Sequence, residues 1–152
     1  MKKILFICYG NICRSPMAEM IMKDLVKKKS MEDKFYIQSA GTSTEEIGSS
    51  IYINAQEVLK KNNIPVEDRK ARQLQADDYE TFDYLVAMEM MNIRDIKSII
   101  EVDSHNKIAR LLDYTTDPED IADPWYSRDF EKTYTEILLG CESFLEYLIN
   151  NE

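Results

Sequence analysis

Apolar residues along this chain occur in two kinds of pattern that follow each other in turn. Short apolar-rich runs predict strands, because a strand that is buried on both faces is apolar on both. Segments with an apolar residue every three or four positions predict amphipathic helices. The predicted strands span residues 4–8, 35–39, 84–88 and 108–112, and the predicted helices include residues 17–25, 55–59, 93–100 and 134–148.

Strands that alternate with helices in this way predict a parallel sheet with helices on both faces. The sequence therefore predicts an α/β fold, a single three-layer domain over residues 1–152 with a four-stranded parallel sheet. Ligands bind to such sheets at the carboxyl ends of the strands. The first strand ends at Cys8, and the fourth leads into a loop over residues 114–128 with two Asp-Pro pairs. We expect these two edges to face each other across a crevice.

The segment from Cys8 to Pro16 connects the first predicted strand to the first predicted helix. A strand-to-helix loop of this kind wraps an anion with its backbone N–H groups, and the helix dipole adds to the attraction. Gly10 and Asn11 accept the positive φ angles that a tight turn needs. The predicted phosphate-binding residues are Tyr9, Gly10, Asn11, Ile12, Cys13 and Ser15.

Cys8 and Arg14 are the candidate chemical groups of this loop. Arg14 offers a planar pair of N–H donors to two phosphate oxygens. The positive field that binds phosphate also favours the thiolate form of Cys8, to which Ser15 is placed to donate its hydroxyl. We therefore predict Cys8 as a nucleophile and Arg14 as a phosphate clamp.

Composition narrows the classes of function. The net charge of −9 disfavours binding to nucleic acid or to an anionic membrane. No apolar run is long enough to span a membrane, and the first apolar run is too short for a signal peptide. Three cysteines predict free thiols in a reducing, cytoplasmic compartment. The single histidine cannot form a histidine metal cluster, and no set of cysteine and histidine shows zinc-type spacing. We expect no cofactor.

Two segments carry a resemblance to a known family. The run from Cys8 to Glu19 resembles the signature of the low-molecular-weight protein tyrosine phosphatases, and the run from Asp123 to Tyr126 resembles their acid loop. Residues 39–42 and 70–73 are also similar to family segments, in the same order. The resemblance implies hydrolysis of phosphotyrosine on proteins through a phosphocysteine intermediate, with inorganic phosphate as product and no metal.

The resemblance also implies a role for each matching side chain. Cys8 attacks phosphorus, Arg14 binds the equatorial oxygens, and Asp123 protonates the leaving phenolate and then activates water. Asn11 and Ser15 hold the loop and stabilise the thiolate. The matching residues thus predict a catalytic set of Cys8, Arg14 and Asp123.

The residues alone leave the choice of acid open, because Asp117 and Asp123 both precede a proline. Proline after aspartate favours an extended backbone and stiffens either position equally. Trp125 and Tyr126 follow only the second aspartate, and an aromatic pair beside an acid is suited to wall the crevice and stack on a substrate ring. We therefore prefer Asp123 as the acid and predict that Trp125 and Tyr126 bind substrate.

The chain departs from the family pattern at two places. Glu45 and Glu46 stand in a loop where the family has an aromatic residue, and substrate preference must differ if they line the crevice. Arg69 stands where the family tends to have a histidine. This second departure predicts weaker hydrogen-bond support for Asn11.

Three alternative functions remain open. An arsenate reductase needs further relay cysteines, and Cys141 lies at a core-like position of the last predicted helix, which argues against that activity. A phosphoarginine phosphatase is disfavoured because Ile12 offers no hydrogen bond to a guanidinium. A phosphoprotein-binding module without catalysis is disfavoured because the candidate nucleophile, clamp and acid are all present. We expect a monomer or a weak dimer whose partners are phosphotyrosine-bearing proteins.

Overall fold

The computed structural model describes residues 1–151 and contains one four-stranded sheet, all of whose pairings are parallel. The strands are β1 (Lys2–Cys8), β2 (Phe35–Gly41), β3 (Tyr84–Ala87) and β4 (Ile108–Arg110). Their order in the sheet is β2-β1-β3-β4, so the strand that ends at Cys8 lies inside the sheet. This position places the loop after β1 between the ends of two neighbouring strands.

Helices cover both faces of the sheet, as the sequence predicts. The helices are α1 (Arg14–Lys28), α2 (Ile53–Lys61), α3 (Asp78–Thr81), α4 (Met90–Ile99), α5 (Pro124–Ser127) and α6 (Phe130–Asn150). Ile4 and Phe6 of β1 pack in a core with helices α1, α2 and α6, whereas Leu5 and Ile7 pack in a second core with α3 and α4. The three-layer α/β architecture is thereby confirmed. None of the helices within residues 1–151 has the length and apolar content needed to cross a bilayer.

The fourth strand ends earlier than the sequence predicts. β4 stops at Arg110, and the chain continues as a 3-10 helix, Leu111–Tyr114. The Asp113 carboxylate accepts a hydrogen bond of 2.9 Å from the Arg110 backbone N–H and a second of 3.1 Å from the Arg110 Nε–H. These bonds cap the turn and end the strand, so the prediction of a strand over residues 108–112 is wrong at its carboxyl end.

The second strand extends two residues further than predicted, to Gly41, which pairs with Cys8. A Cβ atom on Gly41 would lie 2.8 Å from the Tyr9 carbonyl oxygen, closer than real Cβ contacts. Only glycine lets the end of β2 approach the loop after β1 this closely. The Thr42 backbone N–H then donates to the Cys8 carbonyl at 3.0 Å, which fixes the start of that loop.

Candidate active site

The loop after β1 places its polar groups around the Cys8 sulfur. The Asn11 backbone N–H donates to Cys8 Sγ at 3.3 Å, and the Ser15 hydroxyl lies 2.9 Å from the same sulfur. Asn11 adopts a left-handed conformation with φ of 60°, which asparagine tolerates better than most residues. Cys8 is only 3% exposed, yet it lines the surface pocket described below.

Asn11 is fully buried and connects the loop to two other segments, β2 and residues 69–72. Its Nδ2 donates to Ser15 Oγ at 2.8 Å and to Ser39 Oγ at 3.0 Å. Its Oδ1 accepts from the Arg72 backbone N–H at 3.1 Å and from the Arg69 guanidinium, which also donates to the Asn11 carbonyl at 2.9 Å. The prediction that Arg69 weakens the support of Asn11 is therefore wrong, because Arg69 supplies two of these hydrogen bonds.

A buried carboxylate lies behind this network. Glu19 on α1 accepts a hydrogen bond from the Ser39 hydroxyl at 2.5 Å and an ion-pair contact from Lys23 at 2.7 Å. The Arg69 Nε lies 3.9 Å from the same carboxylate. Burial lowers the pKa of the Arg69 guanidinium, and the charges of Glu19 and Cys8 act in the opposite direction. Arginine remains charged under such conditions, so the loop has a permanent cation beneath it.

Arg14 points from the start of α1 to the opposite wall. Its Nη1 donates to the Ile121 carbonyl at 2.8 Å and to Glu89, and its Nη2 lies 3.5 Å from Asp123 Oδ2. Burial alone would lower the pKa of this guanidinium, but the charges of Cys8, Asp123 and Glu89 raise it overall. The buried guanidinium is thus held as a cation between the loop and two carboxylates.

Asp123 begins the short helix α5. Its Oδ1 accepts a hydrogen bond of 3.0 Å from the Trp125 backbone N–H, and Pro124 occupies the first helical turn, where its missing N–H is tolerated. Because Oδ1 caps the helix, Oδ2 is left to face Arg14. Asp117, the other candidate acid, instead lines a groove between residues 112–119 and α6. The structure therefore brings Asp123, and not Asp117, to the loop.

These residues enclose a pocket of about 130 Å³. Nine of the eleven predicted site residues line it, while Asn11 and Ser15 are buried residues of the loop that support it from within. Glu45 and Glu46 line it as well, so the acidic departure from the family pattern does reach the crevice. The lining residues are Cys8, Tyr9, Gly10, Ile12, Cys13, Arg14, Glu45, Glu46, Asp123, Trp125 and Tyr126.

A second, larger groove of about 640 Å³ contains Asp117, Glu119 and Glu136. Among the groove-lining residues that the structure describes, there is no cysteine, arginine, lysine or histidine. Its lining therefore offers no cationic side chain to attract a phosphate and no thiol to attack one, and the smaller pocket is the candidate active site. Within residues 1–151, no group of three or more His, Cys, Asp and Glu side chains is arranged to hold a metal ion.

Sequence reasoning missed Glu89, which contacts Arg14 directly. The signal was present, because Glu89 follows β3 by two residues and so lies at the carboxyl edge of the sheet, where sites form. The Asn92 side chain fixes the position of Glu89, because its Oδ1 accepts a hydrogen bond of 3.1 Å from the Glu89 backbone N–H. The supporting roles of Glu19 and Ser39 were also missed, and their signal is weaker because their partners are distant in sequence.

Comparison with known proteins identifies the family of this chain. The family model described as low molecular weight phosphotyrosine protein phosphatase matches residues 3–152. The low molecular weight protein-tyrosine-phosphatase YfkJ of Bacillus subtilis is 41% identical over 147 residues, which cover 95% of this chain and 94% of that relative. The crystal structure of YfkJ has a TM-score of 0.97 at 39% identity and covers 100% of this chain and 97% of its own.

Two further relatives come from animals. A low molecular weight phosphotyrosine protein phosphatase of Gallus gallus is 42% identical over 152 residues, covering 95% of this chain and 94% of that relative. The crystal structure of a Drosophila arginine phosphatase has a TM-score of 0.87 at 33% identity and covers 97% of this chain and 98% of its own. The fold and the matches define a hydrolase of the protein tyrosine phosphatase class. This chain belongs to the low-molecular-weight protein tyrosine phosphatases.

Proposed function

We propose that this enzyme hydrolyses phosphotyrosine on proteins through a phosphocysteine intermediate, with Cys8, Arg14 and Asp123 as its catalytic residues. The observation that carries the proposal is the juxtaposition of the Cys8 loop with an arginine whose Nη2 lies 3.5 Å from Asp123. A thiol, a bidentate cation and a carboxylate in one small pocket supply the nucleophile, the phosphate clamp and the proton carrier of a phosphoryl transfer.

In the first step, the Cys8 thiolate attacks phosphorus and forms an S–P bond while the bond from phosphorus to the tyrosyl oxygen breaks. Asp123, protonated at the start, gives its proton to that oxygen, so tyrosine leaves neutral. The Ser15 hydroxyl and the Asn11 N–H, 2.9 and 3.3 Å from the sulfur, stabilise the thiolate before attack. The backbone of the loop and the guanidinium hold the three peripheral oxygens throughout.

In the second step, water attacks the phosphorus of phosphocysteine and the S–P bond breaks. The Asp123 carboxylate takes a proton from the water, which restores the acid form for the next turnover. The electron pair of the broken bond returns to sulfur, and the Cys8 thiolate is regenerated with inorganic phosphate as the second product. The reaction consumes one water and requires no cofactor.

The aromatic ring of the substrate fits the apolar part of the pocket. Ile12, Trp125 and Tyr126 all line it, and the two aromatic side chains are exposed, at 45% and 82%. An exposed pair of this kind is suited to stack on a phenyl ring as it enters. We propose that these walls make phosphotyrosine the preferred phosphate ester.

Phosphoarginine is the second candidate substrate, because an arginine phosphatase from Drosophila has the same fold at 33% identity. Ile12 argues against it, since a branched apolar side chain gives the guanidinium no hydrogen bond. The deciding measurement is kcat/KM on matched phosphotyrosine and phosphoarginine peptides. Faster turnover of the phosphoarginine peptide would replace the proposed function with the second candidate.

The mechanism is tested by trapping the intermediate. Rapid acid quench of the enzyme with ³²P-labelled phosphotyrosine peptide is expected to leave label on the peptide that contains Cys8. Cys8→Ser is expected to show neither label nor turnover, while Cys141→Ser, on a thiol that is fully buried in α6, is the matched control. Turnover by Cys8→Ser, or label at another residue, would contradict the proposal. We further propose that the enzyme acts in the cytoplasm as a monomer or weak dimer.

A further inference from the structure

The mouth of the pocket carries two carboxylates that the proposed mechanism does not use. Glu45 and Glu46 lie in the loop after β2, and both side chains line the pocket beside Tyr9 and Gly10. We propose that these two glutamates make the enzyme select phosphotyrosine flanked by lysine or arginine and discriminate against acidic flanks. The inference rests on the proposed function, since it describes which phosphotyrosine sites reach Cys8.

Hydrogen bonds hold both carboxylates at the rim. The Tyr9 hydroxyl donates to Glu45 Oε1 at 2.9 Å, and the Ser49 hydroxyl donates to Glu46 Oε2 at 3.0 Å. Each bond engages one oxygen and leaves the other oxygen of the same carboxylate available. Glu46 also packs against the loop itself, since its Cγ lies 3.8 Å from the position of a Cβ on Gly10. The two charges are therefore fixed next to the phosphate-binding loop.

The neighbouring cations do not neutralise this rim. Arg14, the one cation among the lining residues, is 3% exposed and is already engaged by Glu89, Asp123 and the Ile121 carbonyl. Arg128 lies on the other wall, where its guanidinium carbon is 5.9 Å from the Trp125 ring. A substrate dianion therefore passes two uncompensated carboxylates before it reaches the loop.

The two carboxylates at the mouth of the pocket are expected to change the binding of peptides according to the charge of the residues beside phosphotyrosine. A peptide with acidic residues beside phosphotyrosine adds repulsion from Glu45 and Glu46 to the repulsion that the phosphate already meets. A peptide with arginines there forms ion pairs with the free carboxylate oxygens. Each exposed ion pair contributes little. The arginine-flanked peptide gains two pairs and avoids the two repulsions that an acidic peptide meets, so it is expected to be preferred over the acidic peptide by roughly fivefold to tenfold in kcat/KM.

The test uses three synthetic peptides with a central phosphotyrosine and two arginines, two alanines or two glutamates on each side. For the unaltered enzyme, kcat/KM is expected to rise from the glutamate to the alanine to the arginine peptide. E45Q/E46Q is expected to reduce the arginine-to-glutamate ratio to below about twofold. Because the readout is a ratio, any general change in turnover cancels. Raising NaCl from about 50 to about 500 mM is expected to compress the ratio of the unaltered enzyme.

E80Q/E142Q is the matched control, because it removes the same charge from α3 and α6, away from the pocket mouth. It is expected to keep the preference. If E80Q/E142Q lost the preference as E45Q/E46Q does, the effect would be due to net charge and the proposal would be overturned. Equal kcat/KM for all three peptides, or an arginine-to-glutamate ratio unchanged in E45Q/E46Q, would also overturn it. Phenyl phosphate, which has no flanking residues, separates the two claims. If the unaltered enzyme does not hydrolyse it, the proposed function is contradicted. If the enzyme hydrolyses it but shows no preference among the three peptides, only this inference is contradicted.

Discussion

The two halves of the candidate site are held in very different ways. Within the phosphate-binding loop, residues 8–15, Asn11 and Ser15 are fully buried and bonded to β2 and to residues 69–72. On the acid side, Trp125, Tyr126 and Arg128 are exposed, and the Asp123 side chain contacts its own helix and Arg14. The first half is a buried polar network, and the second is a short surface helix.

This difference matches the work proposed for each half. A phosphate cradle stabilises charge best when its donors are fixed before the substrate arrives. A residue that donates a proton to the leaving group in one step and accepts a proton from water in the next needs access to both. We therefore expect changes in the phosphate-binding loop to affect stability and turnover together, and changes on the acid side to affect turnover alone.

The largest effect is expected for Asp123→Ala, with a loss in kcat of about 10²–10⁴-fold, the usual contribution of a general acid. Its melting temperature is expected to change little, because the side chain is half-buried and makes one local hydrogen bond, and because its loss leaves Arg14 with its bonds to Glu89 and the Ile121 carbonyl. The defect is expected to shrink for aryl phosphates with acidic leaving groups, which need no proton. Asp117→Ala is the control, and a dead Asp117→Ala beside an active Asp123→Ala would reverse the assignment.

The next effect is expected for Asn11→Ala, which removes the side chain at the centre of the buried network. It removes one hydrogen bond each from Ser15, Ser39 and the Arg72 N–H, so the free energy of unfolding is expected to fall by about 2–4 kcal/mol. Chemical denaturation measures the loss, and turnover is expected to fall with it. Tyr126→Ala on the acid side is expected to change stability by less than about 0.5 kcal/mol, as surface changes do. Equal destabilisation by both would remove the contrast between the two halves.

A smaller effect is expected for Arg128→Ala, which loosens the acid side. The Arg128 guanidinium carbon lies 5.4–5.9 Å from the rings of Tyr52, Trp125 and Phe130, and its Nη2 donates to the Tyr52 hydroxyl at 3.3 Å. Losing these contacts is expected to lower kcat by about twofold to fivefold, since an exposed cation–π contact contributes roughly 0.5–1 kcal/mol. Arg128→Lys is expected to recover part of the loss. Arg94→Ala, on the exposed side of α4, is the control, and an equal loss there would show a general charge effect.

The smallest effect concerns thiol reactivity within the phosphate-binding loop. Burial, and then the negative charge of Cys8, raises the pKa of the Cys13 thiol to about 12, so Cys13 stays protonated and unreactive well above neutral pH. Iodoacetate at pH 6–9 is therefore expected to label only Cys8, and phosphate is expected to protect it. Mass spectrometry of the digested protein locates the label. Labelling of Cys13 at the same rate would contradict the assigned difference between the two thiols.

The sequence predicts the parts of the site that are local in the chain better than the parts that depend on contacts between distant segments. The loop from Cys8 to Pro16 is contiguous, so its strand end, tight turn and helix start are all visible in one short segment. Asp123 was separated from Asp117 only by its aromatic neighbours and by the family resemblance. The capping of β4 by Asp113 and the replacement of a family histidine by Arg69 depend on side-chain geometry, and both outcomes differed from the prediction.

Contacts between distant segments explain the remaining gaps. Arg69 reaches Asn11, Glu89 reaches Arg14 and Ser39 reaches Glu19 across 58, 75 and 20 positions. A buried polar group takes its partner from whichever segment the packing brings close, and residue spacing carries no record of that choice. For the same reason, the strand pattern does not predict the close approach of Gly41 to the Tyr9 carbonyl.

The distance along the chain between Arg14 and its acceptor at Ile121, 107 positions, also sets an order of events during protein synthesis. A ribosome that adds about 5–20 residues per second needs roughly 5–20 s to make that segment. The nucleophile and the anion cradle are therefore translated well before the acid that completes the pocket. A nascent chain at that stage has the thiol without its proton donor, so the complete site can form only after residues 121–123 have been made.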